Sequence, residues 1–193
     1  VEAHPDGGDV HVHAGGQGVW QARMLRTLGR DVLLCAVLSG ETGRVLEHLL
    51  TSEGLELESV GRQGRGGVLV HDRRSGEREA VIESGGDELS RHVLDELYGL
   101  TLRSALDAGL VILSGPHGDG VVNSDFYRRL ASDLGEAGVR VIVDLAGERL
   151  EAAVEGGVWA LKVSHDELLR SLMHNRQLKF SDFIVIDISL IID

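Results

Sequence analysis

The stretch His13-Ala14-Gly15-Gly16-Gln17-Gly18 decides the fold, because three glycines there join a short strand to a helix. Residues 10–13 alternate apolar and polar side chains, which predicts a strand. Residues 19–28 have a helical pattern, and Gly29 ends it. Glycines let the backbone approach a ligand, and a helix N-terminus favours anionic or hydroxyl-rich groups. Taken alone, the same pattern is also typical of an ordinary strand-to-helix turn.

Two common phosphate-binding loops are excluded at this position. A Walker loop needs Gly-Lys-Ser/Thr, which does not follow these glycines. A dinucleotide fingerprint needs Gly or Ala at position 21, where this chain has Gln21.

Strand-like and helix-like segments alternate along most of the chain. The continuous apolar run over residues 32–38 predicts a strand that is buried on both faces, and residues 42–52 form an amphipathic helix. This alternation predicts an α/β fold, a three-layer α/β/α arrangement around a mainly parallel sheet. Further helices are predicted at 90–106, 124–137, 148–154 and 165–173, the first of them capped by Ser90. Further strands are predicted at 110–113, 139–145 and 158–163.

A β-hairpin interrupts this alternation. Extended pieces at residues 67–71 and 79–83 flank the turn Arg73-Arg74-Ser75-Gly76. We therefore assign residues 57–84 to a small β lid within one α/β domain over residues 1–174.

Residues 175–193 differ in composition from the rest of the chain. They contain five isoleucines, whereas residues 1–174 contain three. The shift suggests a tail of different coding origin, and the alternative is a genuine buried strand over residues 183–192.

The charge and composition of the chain argue against several classes of partner. The net charge is −12, with 31 acidic against 19 basic residues and no basic stripe, so we expect no nucleic-acid partner. Cys35 is the only cysteine and lies in an apolar run, which excludes an internal disulfide and predicts a buried, inert thiol. No signal peptide is recognisable and no apolar run approaches the roughly 20 residues of a membrane span, so we expect a cytoplasmic protein without a membrane partner.

Six segments follow one another along the chain in a recognisable order. The first is the glycine loop, with Ala22 and Arg23 in the helix after it. The others are Leu38-Ser39-Gly40-Glu41-Thr42-Gly43, Gly85-Gly86-Asp87-Glu88-Leu89-Ser90, Leu113-Ser114-Gly115-Pro116-His117-Gly118, Asp144-Leu145-Ala146-Gly147 and Lys162-Val163-Ser164-His165-Asp166-Glu167. In this order they resemble the PfkB (ribokinase-type) family of carbohydrate kinases, in particular its phosphofructokinase and tagatose-6-phosphate kinase branch.

The resemblance implies an ATP-dependent phosphoryl transfer to a hydroxyl of a sugar or sugar phosphate, with ATP and Mg²⁺ as cofactors. The substrate-binding residues that it implies are Gly15, Gly16, Gln17, Gly18, Arg23, Ser114 and His117. The cofactor-binding residues that it implies are Asp144, Lys162, Ser164 and Glu167, of which Glu167 also holds the metal ion. In this family the lid is often a dimer surface, so the resemblance implies a homodimer through the lid.

The sequence departs from the family in ways that bear on activity. The family's catalytic Gly-Ala-Gly-Asp segment has no counterpart, so no catalytic residue is assigned and we expect a C-terminally truncated chain. Gln17 replaces the loop lysine, and Ser164 replaces the metal-site asparagine.

Other functions stay open from the sequence. One is a non-catalytic sugar-binding or regulatory relative of the family. Another is a Rossmann-type oxidoreductase, suggested by Glu41 after the second strand. His11 and His13 have metal-ligand spacing on one strand face, although solvent-facing histidines are the commoner explanation.

Overall fold

The computed structural model describes residues 1–3, 10–118, 120–163 and 184–187. The chain divides into two compact units. Unit one contains Val1–Leu97 and Pro116–Val121, and unit two contains Tyr98–Gly115 and Val122–Asp193.

Unit one combines a parallel strand pair with a small mixed sheet. Its elements are β1 (Glu2–Ala3), β2 (Val10–His11), α1 (Gln17–Thr27), β3 (Leu33–Ser39), α2 (Gly40–Ser52), β4 (Glu56–Arg62), β5 (Val68–Asp72), β6 (Glu79–Ser84) and the start of α3 (Arg91–Ala108). β3 and β4 pair in parallel over seven residue pairs, so α2 is the crossover of a βαβ unit.

The core of unit one lies between α1 and the βαβ unit. Its buried members are Ala14, Val19, Ala22, Leu50 and Leu55. Ala14 immediately precedes the glycines and is fully buried, so its packing fixes the start of the loop that enters α1.

The prediction that the strand at 32–38 is buried on both faces is wrong for most of its length. Only Leu38 and Ser39 are buried in β3, and Leu33 is 40% exposed. Among the described residues β3 hydrogen-bonds to β4 alone, so its other edge lacks a strand to cover it. Cys35 is accordingly half-buried rather than fully buried.

The predicted hairpin is present, and it is shorter than the segment assigned to the lid. β5 and β6 pair antiparallel across a turn in which Gly76 has a φ of 88°, a left-handed conformation that glycine adopts readily. β1 and β2 extend this sheet in the order β2-β1-β5-β6. Residues 57–62 instead belong to β4, which pairs with β3.

Unit two is a parallel sheet with helical crossovers. Its elements are β7 (Leu110–Ser114), α4 (Ser124–Glu136), β8 (Arg140–Asp144), α5 (Gly147–Gly156), β9 (Ala160–Val163) and β10 (Ile184–Asp187), after the end of α3. The strand order is β10-β9-β8-β7, and all neighbours are parallel. The most buried large side chains are apolar residues of the strands and of α4: Leu130, Leu134, Val141, Val143 and Leu161.

The α/β fold class predicted from the sequence is confirmed, and the described helices begin and end within a few residues of their expected positions. Ser90 caps α3 as expected, because its Oγ accepts a hydrogen bond of 3.4 Å from the Val93 N–H. The predicted helix at 165–173 lies outside the described residues. Ile184–Asp187 pairs in parallel with β9, as the strand alternative for the tail requires, while the coding origin of the tail stays a hypothesis.

No helix in the described part of the chain combines the length and the apolar character needed to cross a membrane.

Close packing of α5 on α4 gives a stability prediction. A β-carbon at Gly156 would lie 3.0 Å from Ala131 Cβ and would collide with the Arg128 carbonyl oxygen. Alanine is a better helix former by about 1 kcal/mol, but overpacking costs about 1–3 kcal/mol. We expect Gly156→Ala to lower the free energy of unfolding by up to about 2 kcal/mol in urea denaturation, the difference between these two effects.

Gly99→Ala is the matched control in α3. A β-carbon there would meet only the flexible end of Arg103, at 3.4 Å. This substitution should raise the free energy of unfolding by up to about 1 kcal/mol. Equal effects of the two substitutions would contradict the packing argument.

Candidate functional site

The carboxyl ends of three parallel strands in unit two bring three predicted site residues into one row. Ser114 of β7 is the register partner of Asp144 of β8. Between β8 and β9, Val143 is the register partner of Leu161, so the following residues, Asp144 and Lys162, lie beside each other. Open α/β sheets bind ligands outside the carboxyl ends of their strands, so this row lies where a ligand is expected.

Asp144 and Lys162 form a partly buried ion pair. Lys162 Nζ donates to Asp144 Oδ2 at 2.6 Å, and the two side chains are 30% and 8% exposed. Charges removed from water need such a partner, because an unpaired buried carboxylate is costly. Two of the four predicted cofactor-binding residues therefore contact each other directly. The other two, Ser164 and Glu167, lie outside the described residues.

Ser114 is held in place by Tyr127 of α4. The Tyr127 hydroxyl donates to the Ser114 carbonyl oxygen at 3.4 Å. Burial raises the pKa of Tyr127 to about 12, so the phenol stays a neutral donor at physiological pH. The end of β7 is thus tied to α4.

The glycine loop of unit one presents open backbone. Gly16 is the N-cap of α1 with a φ of 109°, and no side chain caps this helix. A β-carbon added at Gly15 or Gly16 would meet nothing within 4 Å. The first hydrogen bond of the helix runs from the Trp20 N–H to the Gly16 carbonyl oxygen at 3.2 Å. The loop therefore has room for a ligand against its backbone.

Arg23 has a structural partner that the sequence did not reveal. Its Nε and Nη2 donate to the two carboxylate oxygens of Glu53 at 2.7 and 2.6 Å, and its Cζ lies 4.6 Å from the Trp20 ring centroid. This bidentate pair raises the pKa of Arg23 and lowers the pKa of Glu53. Arg23 therefore links α1 to the end of α2, and its contact with a substrate stays a prediction.

The C-terminal ends of α1 and α2 also border a cavity of about 450 Å³. It is lined by Arg23, Arg26, Thr27, Glu53 and Leu55. Arg26 Nη1 donates to the Glu53 carbonyl oxygen at 2.9 Å, so both arginines there bind the same residue.

His117 contacts the hairpin. Its Nε2 lies 3.0 Å from Glu83 Oε1, and both side chains are about half exposed. The backbone of His117 also lies close to Gly85, where a β-carbon would be 3.5 Å from the His117 carbonyl oxygen. His117 is thus placed against the end of β6, while its role toward a substrate stays a prediction.

The histidine pair does not gather further metal ligands. His11 and His13 stack with ring centroids 5.9 Å apart and planes 7° apart. Within the described ranges, no group of three or more His, Cys, Asp or Glu side chains could hold a metal ion.

Sequence reasoning missed Arg62, which connects the end of β4 to the segment after the hairpin. Its guanidinium donates to Ser39 Oγ at 2.7 Å and to the carbonyl oxygens of Asp87 and Glu88, both at 2.8 Å. The available signal was the register of the two strands, which makes Arg62 the partner of Ser39.

A comparison with protein-family models gives one match of almost the whole length. The model of the pfkB family carbohydrate kinases matches residues 1–179. The chain belongs to this family. Because the chain belongs to a carbohydrate kinase family, the position of Glu41 no longer supports a Rossmann-type oxidoreductase.

Two curated relatives of this PfkB chain are sugar-phosphate kinases by name. The ATP-dependent 6-phosphofructokinase isozyme 2 of Escherichia coli K12 is 32% identical over 171 residues, which are 87% of this chain and 54% of the relative. A tagatose-6-phosphate kinase of Staphylococcus epidermidis RP62A is 24% identical over 161 residues, 82% of this chain and 51% of the relative. The chain spans about half the length of the curated relatives that it matches.

Solved structures agree on the fold. Phosphofructokinase-2 from Escherichia coli, in complex with potassium, superposes with a TM-score of 0.70 at 28% identity, covering 87% of this chain and 54% of that chain. A phosphofructokinase described as putative, from Staphylococcus aureus, gives a TM-score of 0.66 at 20% identity over 87% of this chain and 53% of that chain. The PfkB chain thus has the ribokinase-like fold that the resemblance implied.

The unequal burial of the ion pair predicts unequal effects of removing its two members. Lys162→Met removes the ammonium that pairs with the nearly buried Asp144, and we expect a loss of about 2 kcal/mol in the free energy of unfolding. Asp144→Asn leaves a more exposed ammonium that water can solvate, so we expect a loss below about 1 kcal/mol.

Urea denaturation measures both variants. Arg140→Met is the control, because it removes a cation from the opposite end of β8, where Arg140 is exposed and lies 5.3 Å from the Trp159 ring centroid. Equal losses for Lys162→Met and Asp144→Asn would show that the burial of Asp144 does not dominate.

The two tyrosines of the chain are expected to titrate late. Burial raises the pKa of both Tyr98 and Tyr127 to about 12, and the carboxylate of Asp133 adds to the effect at Tyr98. A folded-state pKa above the usual value of about 10 favours the neutral phenol, so this stabilisation is complete below pH 10 and is lost as the pH rises through 12.

Phenolate absorbance, read immediately after a rapid pH jump, tests this expectation. The native chain should show almost no phenolate at pH 10, whereas the urea-unfolded chain should be about half ionised. Tyr98→Phe and Tyr127→Phe assign the signal. A native tyrosine that ionises near pH 10 would contradict the burial described for it.

Proposed function

We propose that this chain provides nucleotide-binding and sugar-binding residues of an ATP-dependent carbohydrate kinase, which transfers a phosphoryl group to a hydroxyl of a sugar or sugar phosphate. The observation that carries the proposal is the Asp144–Lys162 pair, which lies at the carboxyl ends of neighbouring parallel strands. Membership of the carbohydrate kinase family supports the reaction class.

The chemistry of the pair fits the phosphate end of ATP. An ammonium has three N–H donors, and Asp144 accepts one of them at 2.6 Å. Asp144 thereby fixes the position of the Lys162 ammonium, which can also donate to a phosphate oxygen. ATP supplies the phosphoryl group, and Mg²⁺ is normally held by one or two carboxylates together with phosphate oxygens. We assign Ser164 and Glu167 to the same nucleotide and Glu167 to the metal ion.

We assign the sugar-binding residues for each unit separately. In unit one, we assign substrate contacts to Gly15, Gly16, Gln17, Gly18, Arg23 and His117, of which the two first glycines have open space above their backbone. In unit two, we assign Ser114, whose backbone Tyr127 holds. A phosphorylated substrate is suggested by the names of the relatives and by a structure of Escherichia coli phosphofructokinase-2 in complex with fructose-6-phosphate.

A second candidate is a sugar-binding or regulatory relative without catalysis. It is favoured by Gln17, which is uncharged where the family carries lysine, and by Ser164, which stands where the family carries the metal-site asparagine. Such a protein would bind the same sugar class without releasing ADP.

We also propose that the sheet β2-β1-β5-β6 mediates homodimerisation. Large apolar side chains are exposed on its strands, with Val10 62%, Val81 61% and Ile82 54% accessible. Exposed apolar patches of this kind often mark protein contacts.

The experiment is a calorimetric and thermal-shift titration of the chain with Mg-ATP, fructose 6-phosphate and tagatose 6-phosphate, combined with a coupled assay of ADP release. We expect both ligand classes to raise the melting temperature. Lys162→Met should lose the response to Mg-ATP and keep the response to the sugar phosphate, which also shows that the variant is folded. The control Arg140→Met should keep both responses.

The results distinguish the kinase from the non-catalytic relative. ADP release with a sugar phosphate supports the kinase. Binding of both Mg-ATP and a sugar phosphate without ADP release also fits it, because no catalytic residue is assigned in this chain, whereas binding of a sugar phosphate alone supports the non-catalytic relative. A chain that binds none of the three ligands contradicts both. Light scattering of the same sample tests the dimer, and a single-chain mass at all concentrations would contradict it.

A further inference from the structure

An arginine that no motif singled out lies beside the end of β7. Arg149 is in the first turn of α5 and is half-buried. A β-carbon added at Gly115, the residue after Ser114, would lie 3.5 Å from Arg149 Nη1 and 3.6 Å from its Cζ. The guanidinium therefore packs against the backbone at the carboxyl end of β7.

Leu145 shares this space with Arg149. The same added β-carbon would lie 3.3 Å from Leu145 Cδ2, which would have to give by a few tenths of an ångström, whereas its distances to Arg149 are those of ordinary van der Waals contact. Leu145 is buried, so the guanidinium of Arg149 lies between a packed leucine and the end of β7.

Tyr127 contacts the same peptide from α4. Its hydroxyl donates to the Ser114 carbonyl oxygen, and the charge of Arg149 opposes the rise in the Tyr127 pKa that burial causes. Arg149 is thus near enough to the phenol to act on it electrostatically. The Ser114–Gly115 peptide is fixed by a neutral hydroxyl and flanked by a permanent positive charge.

Charges of both signs lie along this edge of the sheet. The carboxylate at the end of β8 is Asp144, and Lys162 pairs with it at 2.6 Å. Glu148 precedes Arg149 and is exposed to solvent, where water screens its charge. Arg149 places a guanidinium close to this row of strand ends.

Guanidinium is suited to one class of anion in particular. Its planar fork donates two parallel hydrogen bonds to a phosphate, and its charge persists at any physiological pH. A hydroxyl of an unphosphorylated sugar gains much less from the same contact, because it carries no charge.

We propose that Arg149 binds a phosphate group of the ligand held at the Ser114–Gly115 strand end and so makes the site selective for phosphorylated ligands. The proposal rests on the proposed function, which supplies two ligands with this chemistry, the sugar phosphate and ATP. Arg149 then acts as a specificity-determining residue, while Tyr127 positions the strand end that it flanks.

The test compares phosphorylated and unphosphorylated ligands in matched variants. Fructose 6-phosphate, fructose and Mg-ATP are titrated calorimetrically into the unaltered chain, Arg149→Met, Arg149→Lys and Arg140→Met. Arg149→Met keeps an apolar stem against Gly115, and Arg149→Lys keeps the charge without the planar fork. Arg140→Met removes the same charge from the start of β8, at the other end of the strands.

We expect Arg149→Met to weaken the binding of one phosphorylated ligand by ~10- to 100-fold, the loss typical of a hydrogen bond to a charged group. Arg149→Lys should recover part of that loss, and Arg140→Met should bind like the unaltered chain. A loss with fructose 6-phosphate identifies the sugar phosphate as the ligand, and a loss confined to Mg-ATP identifies the nucleotide. Fructose binding should not change in any variant.

Unchanged affinity of Arg149→Met for both phosphorylated ligands, while the unaltered chain binds them, overturns this proposal and leaves the proposed function standing. Equal losses for fructose and fructose 6-phosphate also overturn it, because they indicate a general disturbance of the strand end. Failure of the unaltered chain to bind any of the ligands overturns the proposed function and the role of Arg149 with it.

Discussion

The ion pair between Lys162 and Asp144 is the interaction on which the candidate site of unit two depends. It exists because parallel pairing aligns the ends of β8 and β9, so that a carboxylate and an ammonium meet at 2.6 Å. A shift of the register by one residue would turn one of the two side chains to the other face of the sheet. The apolar packing of the strands thus determines the chemistry at their ends.

Local features of this fold could be predicted from the sequence. The turn at Gly76, the cap at Ser90 and the glycines before α1 depend on residues within a few positions of each other, and all are present. The parallel α/β organisation also followed from the alternation of apolar strands and amphipathic helices, which is a property of segments rather than of pairs.

Features that depend on distant partners could not be predicted. The burial of β3 depends on how many strands flank it, and Arg23 binds Glu53, which is 30 residues away. Arg149 lies beside Gly115, which belongs to a distant segment of the chain. Segment patterns carry no information about such contacts. They do place Ser114, Asp144 and Lys162 at strand ends, whereas the roles of these residues toward a ligand are implied by the family resemblance alone.

Arg62 has a mechanical consequence for the hairpin. Its single guanidinium holds the carbonyl oxygens of Asp87 and Glu88 and the hydroxyl of Ser39, so the chain leaving the hairpin is anchored to the end of the β3–β4 pair. Asp87 in turn accepts hydrogen bonds from the backbone N–H and the Nε of Arg65, at the hairpin's entry. The segments before β5 and after β6 are therefore hydrogen-bonded to each other and to the end of the β3–β4 pair. We expect any bending of the hairpin to occur in the residues between these two segments.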